Sequence, residues 1–206
     1  ADTLTYQWSA LTLGDDGEPI DLSGVISDQA ELELDRAGID GFIRLEVVVV
    51  DDDTGVGEDD TVFGVGTDEA DTVRTAAVDP ADPSKGFEIS IQSSSGRVTR
   101  QVVNAGETVS LALADGANDF EAPPSVPLRY RLFAGPDRDR AVLGDLDDFV
   151  DLGGGDDLVM AGGGNDLIVA CSGDDTIYSG TGDDEINVCG FSEKRLFEDD
   201  QDGGFD

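Results

Sequence analysis

The chain has 206 residues, enough for one or two modest domains, and carries 47 acidic against 12 basic side chains, a formal charge of −35, with no histidine. Such a surface repels phosphate, which argues against nucleic acid or an anionic membrane as a partner. It calls instead for a bound cation or a saline medium. The longest apolar run, Leu45–Val50, is strand-length and far short of the roughly 18–20 residues of a membrane helix. The chain begins at Ala1 without a signal peptide, and reads as a processed mature chain or a fragment.

In chain order, residues 1–135 read as all-β. Leu4–Leu13 alternates weakly around Tyr6 and Trp8 and ends at the turn Gly14-Asp15-Asp16-Gly17. Ala30–Leu34 has the period of two of a half-buried strand. Phe42–Val50 alternates and then becomes the run Val47–Val50, which predicts a central strand, stopped at Asp51-Asp52-Asp53-Thr54-Gly55. Thr61–Val65 is a further short strand. Asp79–Gly86 is a turn-rich joint. Phe87–Gln92, Val98–Val103, Thr108–Ala114 and Val126–Phe133 alternate again, with a polar loop at Asp115–Pro127 holding Pro123, Pro124 and Pro127. Spaced strands with turn signals and few helical patterns favour a sandwich. Tyr6-Gln7-Trp8, together with the valine-rich strand ending in aspartates and Gly55, resembles PKD and related Ig-like modules. That resemblance implies a spacer or adhesion module. The expectation is an antiparallel β-sandwich over 1–78 and further antiparallel strands over 86–133, in the same or a second sandwich.

Beyond it lies a repeat. Leu143–Asp151, Leu152–Met160, Ala161–Val169, Ala170–Tyr178 and Ser179–Asn187 are five nonapeptides in register. Their second positions are Gly144, Gly153, Gly162, Cys171 and Gly180, and their fourth are Leu146, Gly155, Gly164, Gly173 and Gly182. The sixth is Asp148, Asp157, Asp166, Asp175 and Asp184; the eighth is Val150, Val159, Ile168, Ile177 and Ile186. A glycine-rich acidic linker has no reason to keep an aliphatic residue at every eighth position. Ala134–Val142 fits the frame as a degenerate opening turn, with Gly135 at two, Asp139 at six and Ala141 at eight. Val188–Phe197 continues it imperfectly, because Phe191 stands at four. Imperfect ends suit a stacked array, whose terminal turns must shield the core. The expected roll therefore spans 134–193, followed by an acidic tail over 194–206.

The pattern resembles the RTX (repeats-in-toxin) calcium-binding nonapeptide, G-G-x-G-x-D-x-U-x. The resemblance implies a parallel β-roll in which each nonapeptide is a six-residue loop and a short strand. Strands then alternate between two sheets, residue i stacks on i+18, and the eighth side chain points inward. Glycines allow the left-handed backbone that turns carbonyl oxygens into the gap between stacked loops. Calcium takes about 6–8 hard oxygen ligands, which carbonyls and aspartates supply without histidine or thiolate. The implied ligands are Asp148, Asp157, Asp166, Asp175 and Asp184 with the third-position residues Gly154, Gly163, Ser172 and Thr181. Each ion bridges loop n and loop n+2, pairing Asp148 with Asp166, Asp166 with Asp184 and Asp157 with Asp175, for about three or more ions. The fifth position (Asp147, Asp156, Asn165, Asp174, Asp183) is expected to add local turn hydrogen bonds or a carbonyl ligand.

On this arrangement Cys171 and Cys189, 18 residues apart and both at position two, stack within disulfide reach, so the bond Cys171–Cys189 is expected. The functional expectation is a calcium-binding, non-catalytic structural or adhesion module of a secreted or surface-displayed protein, its roll folding on calcium outside the cell. Its sandwich would meet a protein or glycan partner. The alternative is a self-assembling subunit of an extracellular filament, surface layer or virus-like shell. An enzyme is not expected: without histidine there is no H-E-x-x-H zinc site or Ser-His-Asp triad, and no G-x-S-x-G elbow appears. A two-carboxylate glycoside hydrolase remains formally open.

Overall fold

A computed structural model describes residues 4–11, 41–51, 56–189 and 195–198. It is all-β. The strands are β1 (Leu4–Leu11), β2 (Gly41–Asp51), β3 (Val56–Val65), β4 (Asp71–Ala77), β5 (Phe87–Ser93), β6 (Val98–Val103), β7 (Thr108–Ala112) and β8 (Asp119–Glu121). There follow β9 (Arg129–Phe133), β10 (Arg140–Val142), β11 (Phe149–Asp151), β12 (Leu158–Met160), β13 (Leu167–Ala170), β14 (Thr176–Gly180), β15 (Glu185–Val188) and β16 (Arg195–Glu198). The expected strand at Ala30–Leu34 and the turn at 14–17 lie outside the described residues, as do 52–55.

Two eight-stranded sheets take these strands in the orders β1-β2-β3-β7-β9-β11-β13-β15 and β16-β14-β12-β10-β8-β4-β5-β6. From β7 onward the chain alternates between them and every pairing is parallel, making a β-solenoid of about four turns over 108–197. The expected 18-residue register holds through the repeats: Phe149 faces Leu167, Val150 faces Ile168, and Val159 faces Ile177. Each nonapeptide spends only about three residues on strand, so a single side chain per strand can point inward. That side chain is the eighth: Val150, Val159, Ile168 and Ile177 are fully buried. The same columns continue upward through Leu132 and Leu111 in the first sheet, and through Ala141, Phe120 and Val73 in the second. The first position adds Leu143, Leu152, Ala161 and Ala170 to this core, in which Leu113 is buried as well.

Two expectations need correction. Over 86–133, β5 and β6 are antiparallel, joined to β4, but β7, β8 and β9 are parallel strands of the solenoid. Alternation reports a half-buried strand and not the direction of its neighbour, so the sequence could not separate the two cases. The roll also outlasts residue 193. Arg195–Glu198, expected to be tail, is strand β16, parallel to β14 with Thr176 facing Arg195 and a register shift between Tyr178 and Gly180.

The N-terminal strands prolong both sheets. β2 lies antiparallel between β1 and β3, as its valine run foretold of a central strand, and β3 joins β7 in parallel. β4 likewise joins β8 in parallel. No helix among the described residues is long and apolar enough to cross a membrane.

Candidate metal centre

The solenoid's stacked loops hold two ladders of side chains running in opposite directions. In the sixth-position ladder, each carboxylate Oδ1 accepts the backbone N–H of the residue one turn earlier. Tyr130 N donates to Asp148 at 2.7 Å, Asp148 N to Asp166 at 2.8 Å and Asp166 N to Asp184 at 2.9 Å along one edge. Along the other, Asp139 N donates to Asp157 at 2.7 Å and Asp157 N to Asp175 at 3.0 Å. The pairs Asp148/Asp166, Asp166/Asp184 and Asp157/Asp175 are therefore neighbours, as the frame required.

The fifth position makes the converse ladder. Asn165 N donates to Asp147 Oδ1, Asp174 N to Asp156 Oδ1 and Asp183 N to Asn165 Oδ1, at 2.8, 2.8 and 2.9 Å. These are bonds between turns, where the expectation was a local turn hydrogen bond or a carbonyl ligand. Consecutive amides at positions five and six thus find acceptors above and below, which satisfies backbone groups that a tight loop would otherwise strand. At the third position Gly154 bridges Ser172 and Gly163 bridges Thr181, and the Ser172 and Thr181 carbonyls accept from Gly155 and Gly164.

The glycine columns exist because the loops touch. A Cβ on Gly173 would fall on the Gly155 carbonyl oxygen, and one on Gly162 would fall on that of Gly144. Both residues also have positive φ, 114° and 99°. At Leu146 the chain keeps a side chain in the fourth position, and it is Gly164, one turn below, that yields space to the Leu146 backbone.

The sixth-position carboxylates are unusual in their second oxygen. Asp139, Asp148, Asp157 and Asp166 are 3, 4, 3 and 2 % exposed, and Oδ2 of each is buried without a hydrogen bond. Removal from water pushes Asp148 up to about 8, Asp157 and Asp166 up to about 7, and Asp139 up to about 6. The amide bonded to each carboxylate opposes the shift; the neighbouring aspartates add to it. For Asp139 both the backbone and the side chain of Asn118 oppose it. Among the described residues, no three carboxylates, thiolates or imidazoles converge on one point. The aspartates are strung one per turn, so any cation here would draw most of its oxygens from carbonyls.

Cys171 and Cys189 are joined as expected, with Cα atoms 4.4 Å apart, and Cys189 N also donates to Ala170 O at 3.0 Å. The bond closes a loop of 18 residues, worth about 3 kcal/mol. Thermal unfolding with and without a phosphine reductant checks this: Cys189→Ser should lower the transition of the oxidised protein as reduction does, and reductant should then have no further effect.

The solenoid has one more turn than the sequence repeat displays. Leu113–Glu121 stacks above Ala134–Val142 as a further nonapeptide, with Ala114 at position two, Gly116 at four, Asn118 at six and Phe120 at eight. Ala114 takes φ 69°, the left-handed backbone its glycine counterparts adopt. Asn118 N donates to Asp139 Oδ1 at 2.7 Å over a separation of 21 residues in place of 18. The intervening turn, with its three prolines, is longer than nine residues and hides the period. The match of Leu113-Ala114-Asp115 to Leu143-Gly144-Asp145 was the available signal. No family model, curated protein or solved structure matches the chain, so its chemistry rests on its own residues.

Proposed function

We propose that this chain is a calcium-binding, non-catalytic structural or adhesion module that works outside the cell, its roll ordered by the ion. The supporting observation is the row of buried Oδ2 atoms on Asp139, Asp148, Asp157 and Asp166, oxygens withdrawn from water and given no donor. Buried anions are costly unless paired or metal-bound. The residues fit a hard cation: aspartate and carbonyl oxygens, in a chain without histidine whose two cysteines are held in a disulfide. Asp148, Asp157, Asp166, Asp175 and Asp184 would hold it, with carbonyls of Gly154, Gly163, Ser172 and Thr181. When bound, calcium supplies the positive charge that lets these carboxylates remain ionised inside the fold. Its binding energy then becomes folding energy, so the roll orders where calcium is abundant. The antiparallel N-terminal strands, as the sandwich the PKD and Ig-like resemblance implies, would carry the partner contact, to a protein or glycan.

Calorimetric titration with calcium, paired with far-ultraviolet circular dichroism in EGTA, tests the reading. Several ions per chain and loss of β signal in EGTA are expected. No binding heat and an unchanged spectrum would overturn it.

A further inference from the structure

We propose that Asn118 closes the uppermost gap of its column with an amide where the lower turns need a cation, so that 66–133 keeps its fold without calcium while 134–189 depends on it. The inference rests on the calcium reading above. Asn118 occupies the place of the sixth-position aspartate and is 3 % exposed. Its Oδ1 accepts the Asp71 amide at 2.9 Å, as each aspartate Oδ1 accepts an amide from the turn above. Its Nδ2, which replaces the orphaned Oδ2, donates to Ala134 O at 3.2 Å and Ala114 O at 3.4 Å. Those carbonyls belong to adjacent turns of the same edge, so the amide ties two loops together as a bridging ion would. Turning NH2 into O⁻ at this place would set an oxygen among oxygens, which is the situation a cation relieves. Above Asn118 nothing calls for one either: Asp71 accepts from Thr67 N at 2.6 Å and Thr67 Oγ1 at 3.1 Å.

Packing divides at the same level. The fully buried large side chains above include Tyr130, Phe120, Leu111, Leu128 and Leu132, with Phe120 and Tyr130 edge to face at 5.0 Å. Below, the buried core is Leu143, Leu152, Ile168 and Ile177 with valines and alanines, and among the described residues it holds no aromatic ring. Apolar burial scales with side-chain area, so the upper segment has the larger cation-independent driving force.

Hydrogen-exchange mass spectrometry on the full chain, in calcium and in EGTA, tests the division. Peptides from 108–133 should stay protected in both, while 143–187 lose protection in EGTA. Calcium binding with loss of protection across 108–187 together would overturn the division and leave the calcium reading standing. No calcium binding at all would overturn both. Asn118→Asp supplies a second arm: one more calcium per chain by titration, and protection of 108–133 that now requires the ion. Unchanged stoichiometry and unchanged protection in that variant would overturn the proposal.

Discussion

Gly173→Ala should cost about 4 kcal/mol or more, enough to unfold the lower turns of the solenoid, although it adds one methyl group. Two effects combine. The residue sits at φ 114°, where an L side chain is strained by roughly 1–2 kcal/mol. The new Cβ would also land on the Gly155 carbonyl oxygen, with the Asp156 amide nitrogen at 3.1 Å. Backbone on both sides is tied into the ladders, so neither partner can give way without parting the loops. Gly96→Ala separates the two effects. It has φ 91° in the β5–β6 hairpin, but nothing lies within 4 Å of its Cβ position. Its cost should be the strain alone, about 1 kcal/mol. Urea unfolding of both variants in calcium measures the difference. Equal costs would mean that the glycine columns serve backbone conformation only and that the loops are not in contact.

The repeat columns were legible because the solenoid keeps one residue type per structural role. The eighth position must fill a core, the sixth must reach the next turn's amide, and the second and fourth must leave room for a carbonyl. What escaped did so for identifiable reasons. Leu113–Glu121 plays all four roles, but Ala114 adopts a glycine's backbone, Asn118 replaces the aspartate, and the turn after it breaks the period. β16 is hidden in the sequence because Thr176 faces Arg195, one residue out of the frame that holds from 143 to 187. The inter-turn bonds of the fifth position are not legible in the sequence because Asp and Asn make local turns in isolated loops. In the stack, the amide one turn away comes within 2.8–2.9 Å and takes that place. The alternation of β7 to β9 fits a sandwich as well as a solenoid, because it is indifferent to strand direction. Parallel pairing follows from the turns stacked below them, which lie later in the chain.

Without calcium the folded protein should lose stability as pH rises from about 4 to about 8, and calcium should reverse the trend. The sign follows from proton binding. Burial raises Asp139, Asp148, Asp157 and Asp166 to between about 6 and about 8, while in the unfolded chain they return to the ordinary carboxylate value of 3.8. Between those limits the folded state holds more protons, so each step up in pH favours the unfolded state until the last carboxyl has ionised. Below about 4 both states are protonated and the effect vanishes. Calcium needs the ionised form, so its uptake near neutral pH should expel protons and its affinity should climb through the same window. Asp166→Asn isolates one site. The amide keeps Oδ1 for the Asp148 N–H, now 2.8 Å away, and turns the orphaned Oδ2 into a donor, as Asn118 already does. The variant should be more stable than the parent in EGTA at pH 8, by on the order of 2 kcal/mol, with the advantage shrinking toward pH 4. It should bind fewer calcium ions and gain less stability from them. Denaturant titrations at pH 5 and pH 8, each in EGTA and in calcium, read all of this. A cation-free protein that grows more stable between pH 5 and pH 8 would show that the aspartates are solvated and already ionised, and that the column does not need a cation to stand.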